Sequence, residues 1–322
     1  MMDSIILAVG DGDALFAPQD ASPNDSGKDL VRIVDPHYRC VSPFDLSVLR
    51  GDGIFEATTV WHGNPISLEN HLKRLSNSAR LMDMPQPNQR AFAAAIGEVI
   101  AKYDDPEPAP LLRILVSRGM DPDTGIGKAK YGTPSVWIFL DGHGTLHDLT
   151  PISLTALDRG YASDATDTSP WLLNGAKTLS YAVNQAMRRE CRRRGVDDAV
   201  TYTSDGFTLE CPNSSIVAQF GDRIVTPDPR IGILNGTSQR EVFAWARQEG
   251  MKIEYRKLPL AQLREADRLF VTHGGWAIPV SSLDGRPLEV DLSQISAIND
   301  AIHSGRTHDD ALSIGPLGEY EV

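Results

Sequence analysis

Gly51-Asp52-Gly53-Ile54-Phe55-Glu56-Ala57-Thr58-Thr59-Val60-Trp61-His62-Gly63-Asn64 is a β-branched, apolar run ending in turn residues. Ile54 to Trp61 reads as a strand, His62-Gly63-Asn64 as a turn, and Ile66 as the start of a short return strand. The apolar period then changes from two to 3.6. Leu68, Leu72, Leu75, Ala79 and Met82 share one helical face, and Phe92, Ile96, Val99, Ile100 and Tyr103 mark a second helix from about Asn88 to Tyr103. Leu111–Ser117 and Ser135–Leu140 read as buried strands, and Asp141-Gly142-His143-Gly144-Thr145 as a linker. Upstream, residues 11–28 are rich in Asp, Pro, Ser and Gly and read as a loop within an irregular extension, 1–40.

Downstream of the linker, Ile152–Ala156 reads as a strand. The spacing then predicts a helix with the stripe Leu179, Ala182, Val183, Ala186 and Met187, closed by Arg192-Arg193-Arg194-Gly195. Cations in a last turn followed by glycine are what a helix C-terminus favours, so this basic run has a structural explanation. Ser204-Asp205-Gly206 and Gly221-Asp222 signal hairpins. Further expectations are a helix over 238–248, strands over 269–272 and 277–280, and a last helix over 292–303.

Across 322 residues, 41% are hydrophobic and 23% charged, which suits a globular chain of about two domains. A net charge of -12 argues against nucleic-acid or anionic-membrane partners, because phosphate attraction needs clustered cations. There is no apolar run of membrane-spanning length, and Met1-Met2-Asp3-Ser4 lacks the basic start of a secretory signal, so the expectation is a cytoplasmic protein. Cys40, Cys191 and Cys211 form neither a disulfide framework nor a zinc spacing, and no metal site is expected. Dinucleotide, P-loop, HExxH and GxSxG patterns are all absent.

Three features remain. There are eight lysines, and Lys177 stands where a short loop enters a predicted helix, flanked by Ala176 and Leu179. A desolvated lysine is what Schiff-base chemistry requires; the plain alternative is a surface lysine with a packed stem. Glu210, in Thr208-Leu209-Glu210-Cys211-Pro212-Asn213, is a strand-end acid suited to facing a ring nitrogen, or else a local amide cap. Gly236-Thr237-Ser238-Gln239-Arg240 opens a helix whose first amides make an anion site, although Ser238-x-x-Glu241 also fits a capping box.

In order and spacing these pieces resemble the class IV aminotransferase family, the fold-type IV pyridoxal-phosphate enzymes, over about Ser42 to Pro287. The resemblance rests on seven strings: Ser42-Pro43-Phe44-Asp45, Gly51–Glu56, Glu69–Leu75, Lys177–Tyr181 with Asn184, Thr208–Glu210, Gly236–Arg240, and Phe270–Thr272 with Ile278–Val280. It implies an α/β (α+β type) two-domain fold like that of D-amino acid aminotransferase, with a smaller N-terminal domain, 1–145, and a larger C-terminal one, 146–322, carrying the lysine. It further implies that Lys177 holds pyridoxal 5'-phosphate and moves protons, and that Glu210 pairs with the pyridine nitrogen. By the same resemblance Arg74, Gly236, Thr237, Ser238 and Thr272 bind the phosphate, Tyr181 lies near the cofactor, and the protein is a homodimer acting on a small-molecule amine.

The family contains transaminases for branched-chain L-amino acids, transaminases for D-amino acids or amines, and 4-amino-4-deoxychorismate lyase. The Pro-Arg-x-His loop of the D-amino acid enzymes is replaced by Arg118-Gly119-Met120-Asp121-Pro122-Asp123-Thr124-Gly125. The Gly-Thr-Ala loop of the branched-chain enzymes is replaced by the shorter Thr272-His273-Gly274-Gly275-Trp276. The Lys177-Thr178-Leu179 start resembles the lyase, while Glu56 stands where some lyases have Thr. The resemblance therefore implies the lyase, with a transaminase as the alternative and a non-catalytic cofactor-binding paralogue as a minor one. Arg118, Tyr131 and His273 are candidate substrate-carboxylate or entrance groups.

Overall fold

The computed structural model describes residues 5–21, 29–104, 109–120, 133–142 and 149–316. The chain divides into two compact units: Met1–Leu146 with Ala176–Tyr181, and His147–Gly175 with Ala182–Val322.

The first unit contains β1 (Ile5–Gly10), α1 (Gly12–Leu15), β2 (Val31–Val34), α2 (Leu46–Arg50), β3 (Gly53–Trp61), β4 (Asn64–Pro65), α3 (Leu68–Leu81), α4 (Gln89–Ile100), β5 (Leu111–Ser117) and β6 (Ser135–Asp141). Its sheet runs β2-β1-β6-β5-β3-β4, antiparallel throughout. The strand, turn and two helices expected around Ile54 are present, with His62 and Gly63 at positive φ and Asn88 capping α4 by accepting from Arg90 and Ala91 N–H. The return strand is only Asn64–Pro65, stopping before Ile66.

One expectation changes here. The region 1–40 is not irregular: Ile5-Ile6-Leu7-Ala8-Val9 forms β1, paired along its length with β6, and β2 pairs outside it. The Asp- and Pro-rich stretch behind β1 concealed that apolar run. The expected linker at His143–Thr145 lies outside the described residues.

The second unit contains β7 (Ile152–Asp158), α5 (Ala165–Thr168), α6 (Ala182–Arg194), β8 (Asp198–Tyr202), β9 (Ser215–Phe220), β10 (Arg223–Pro227), α7 (Thr237–Gln248), β11 (Lys252–Arg256), α8 (Leu260–Leu263), β12 (Arg268–His273), β13 (Trp276–Leu283), β14 (Arg286–Pro287), α9 (Leu292–His303) and α10 (His308–Ser313). The sheet order is β11-β10-β9-β12-β13-β7-β8, with β14 beside β13. Leu154, Val200, Ile216, Ala218, Val225, Leu269, Val271 and Val280 pack its core. Burying each such side chain contributes roughly 1.5–3 kcal/mol before chain entropy is counted. The α9 helix buries Ile295, Ile298, Ala301 and Ile302, and Asp291 caps it by accepting from Gln294 N–H.

The predicted stripe on α6 is corrected as well. The helix begins at Ala182, after Leu179, and buries only Cys191, while Val183 is 50% exposed. Its end is as expected: Gly195 at φ +70° follows the arginines, and Arg193 and Arg194 pair with Glu190.

Candidate active site

Lys177 sits in extended backbone rather than in a helix. Its N–H donates to Ser78 Oγ at 3.0 Å, its carbonyl accepts from Phe55 N–H at 3.0 Å, and Thr178 bridges Ile54. These bonds pin Ala176–Tyr181 to β3 and α3, so this stretch packs with the first unit rather than with the C-terminal domain expected to carry it. Its Nζ lies 4.3 Å from the centroid of the Phe55 ring, and the Tyr181 ring meets Phe55 edge-on at 5.4 Å. A backbone anchored on both sides and an amine against an aromatic face do not describe a mobile surface lysine.

Arg74, on α3, is engaged by Glu56 of β3. Arg74 Nε donates to Glu56 Oε1 and Nη2 to Oε2, each at 2.7 Å, and His71 Nδ1 lies 2.6 Å from Oε2. Glu56 and His71 are buried. Burial works to raise the Glu56 carboxyl, but Arg74 and His71 outweigh it and hold the group well below the ordinary carboxylate range. Burial pushes the His71 imidazole below its ordinary value despite Glu56, so the ring is neutral at pH 7 and Nδ1–H is the donor to the carboxylate.

In the second unit, the main chain of Glu210 is fixed by Thr201, whose N–H and Oγ1 both donate to its carbonyl. The Glu210 carboxylate accepts from Leu234 N–H at 3.2 Å, on the loop entering α7. The sequence offered these two segments as separate features, and the fold brings them together. Gly236 is the N-cap of α7 and makes no side-chain cap. A Cβ at Gly236 would stand 2.3 Å from Ser215 Oγ, so only glycine fits this approach.

Thr237 and Ser238 follow, both buried at the helix start. The Ser238–Glu241 capping box is not formed: Ser238 lies inside the helix, and its Oγ accepts from Gly275 N–H at 2.8 Å. Thr272 is the register partner of Ser215. Its Oγ1 is buried with no hydrogen-bond partner among the described residues, as is Asn213 Oδ1 beyond Glu210. An orphaned hydroxyl beside a helix N-terminus with a glycine cradle suits a dianionic phosphate. The donor set therefore fits a phosphorylated ligand.

Other candidates do not join this set. Arg118 is committed to structure: Nε donates to Asp52, Nη1 to the carbonyl of Asp83 and Nη2 to that of Met82. It ties the end of α3 to the start of β3 and is withdrawn as a substrate-carboxylate group. Tyr131 and the loop from Asp121 to Gly125 lie outside the described residues. His273 ends β12 and pairs with Trp276 across a two-residue hairpin. Cys211, next to Glu210, is buried and its thiol is pushed up by that burial, away from nucleophilic use. Among the described residues there is no group of three metal-ligating side chains and no helix long and apolar enough to cross a membrane.

Sequence reasoning quoted Glu56 and His71 inside longer strings without giving either a role. The signal was there: a Glu within an apolar strand, and a His three residues before Arg74 on a helix, must find partners if buried.

Residues 53–283 match the amino-transferase class IV family. A bifunctional aminodeoxychorismate lyase / D-amino acid transaminase of Mycobacterium tuberculosis is 36% identical over 273 residues, covering 80% of this chain and 90% of that protein. The fold IV-transaminase CpuTA1 from Curtobacterium pusillum superposes with a TM-score of 0.82 at 34% identity, over 93% of this chain and 99% of its own. A hypothetical aminotransferase from M. tuberculosis, in an alpha-ketoglutarate- and PMP-bound form, superposes with a TM-score of 0.75 at 32% identity, over 85% and 97%.

Proposed function

The chain belongs to the amino-transferase class IV family of pyridoxal-phosphate-dependent enzymes, and on that premise we propose that it is a 4-amino-4-deoxychorismate lyase, releasing 4-aminobenzoate and pyruvate for folate synthesis. When bound, the cofactor supplies an electron sink for a carbanion at the amine-bearing carbon of the substrate. Lys177 would hold the cofactor, and its Nζ, which lies over the Phe55 ring, would take the proton from that carbon. Glu210, its carboxylate oriented by Leu234 N–H, would keep the ring nitrogen protonated. The amides and hydroxyls of Thr237 and Ser238 and the Thr272 hydroxyl would hold the phosphate, with Gly236 leaving the room for it, and Arg74 is proposed as its guanidinium ligand from the family resemblance.

The observation that carries the lyase reading is the hairpin joining β12 to β13. It turns on Gly274 and Gly275 alone, at φ 56° and 87°, which is a type I′ geometry. It has no side chain at its tip and is shorter than the Gly-Thr-Ala loop of the branched-chain enzymes. The bifunctional M. tuberculosis relative supports the same reading. A second reading, transamination, is favoured by that relative's other activity and by the alpha-ketoglutarate- and PMP-bound neighbour.

A paired assay on cofactor-loaded protein separates the two. Aminodeoxychorismate generated in place yields 4-aminobenzoate and pyruvate, and Lys177→Ala abolishes both. Product only from L- or D-amino acids with 2-oxoglutarate sinks the lyase reading and leaves the cofactor assignments standing. From the family resemblance we also propose a homodimer, with Tyr181 beside the cofactor. Sedimentation at twice the chain mass supports the dimer, and sedimentation at the single-chain mass refutes it.

A further inference from the structure

The carboxylate of Glu56 is 1% exposed, and its two oxygens receive three nitrogens: two from Arg74 in a fork-on-fork pair and one from His71. A bidentate guanidinium–carboxylate pair fixes the plane of the guanidinium as well as its distance. The His71 bond in turn fixes the carboxylate. Arg74 itself is 11% exposed.

We propose that Glu56, with His71 behind it, is a positioning residue for Arg74 that presets the guanidinium to receive the phosphate of the cofactor. The proposal rests on the reading of Arg74 as a phosphate ligand. It makes a prediction opposite in sign to simple charge counting. Glu56 is an anion near the site of a dianion, so on Coulomb grounds alone its neutralisation tightens phosphate binding. If its work is orientation, neutralisation weakens that binding, because Arg74 regains torsional freedom that the ligand must then remove.

The test is equilibrium titration of apoprotein with pyridoxal 5'-phosphate and, separately, with pyridoxal, which lacks the phosphate. Wild type, Glu56→Gln, Arg74→Ala and the double variant are compared, with Lys177 intact throughout. Glu56→Gln is expected to weaken pyridoxal 5'-phosphate about tenfold, the lower end of the effect of removing a group that orients a ligand-binding residue. It leaves pyridoxal within about twofold and adds nothing in the Arg74→Ala background. Unchanged or tighter pyridoxal 5'-phosphate binding by Glu56→Gln overturns the proposal, as does an equal loss with and without Arg74. If Arg74→Ala leaves pyridoxal 5'-phosphate affinity unchanged, the phosphate reading of Arg74 fails and the proposal falls with it, a result distinct from failure of Glu56 alone. His71→Asn, a milder change, weakens pyridoxal 5'-phosphate in the same direction and serves if Glu56→Gln does not fold; no change there also overturns it.

Discussion

Two polar clusters, one in each unit, are satisfied to different degrees. In the first, Glu56, His71 and Arg74 are charged or strongly dipolar and bond one another at 2.6–2.7 Å. In the second, neutral hydroxyls and amides gather at the start of α7 beside the Glu210 carboxylate, and Thr272 Oγ1 and Asn213 Oδ1 are buried without a partner among the described residues. An ionic cluster that satisfies its members is expensive to break and indifferent to a ligand's arrival. A neutral cluster with orphans costs free energy until a ligand supplies the missing bonds. The first is built for orientation and the second for capture.

The largest expected effect breaks the first cluster. Glu56→Leu strands Arg74 and His71 in a buried place and is expected to destabilise the protein by about 3–5 kcal/mol, read by urea unfolding. A loss below about 1 kcal/mol would mean that the cluster is not self-sufficient. Next comes Gly236→Ala, whose methyl would press on Ser215 Oγ. Overpacking of this kind costs about 1–3 kcal/mol and also closes the cradle, so both apoprotein stability and cofactor affinity fall.

Thr272→Val sharpens the contrast further. Removing an orphaned hydroxyl at constant shape leaves apoprotein stability within about 0.5 kcal/mol of wild type, or slightly higher. It lowers pyridoxal 5'-phosphate affinity by several-fold, roughly one neutral hydrogen bond.

The smallest effect is in pH. His71 has a folded-state pKa below its ordinary value near 6.5, so the unfolded chain takes up the proton first and stability falls as pH drops below about 6.5. Glu56, also depressed, adds a second loss once pH falls below its ordinary value near 4.5. In melts between pH 7.5 and 5.5, His71→Asn is expected to flatten the decline, and a profile parallel to wild type would contradict the assignment.

Much of this was legible from the chain. The run from Gly53 to Trp61 and the apolar faces of α3, α4 and α9 announced themselves, because their burial follows the simple periods of strand and helix. Residues that act through backbone groups were legible too, since glycine and hydroxyls before a helix signal an anion site. The failures share a cause, namely partners far off in sequence. Arg118 read as a substrate group because its acceptors include the carbonyls of Met82 and Asp83, which no side-chain pattern reveals. The stripe on α6 was an alanine-rich pattern with Val183 left half-exposed, whereas α7 buries nine residues, polar ones among them. Periodicity marks an amphipathic face but not whether anything covers it.

The central claim is that Lys177, alone among eight lysines, carries the cofactor, and peptide mapping after borohydride reduction of the holoenzyme tests it most directly. The account predicts a reduced pyridoxyl group on the peptide containing Lys177 and on no other. A label on a different lysine, or none on a protein that has bound the cofactor, would contradict it.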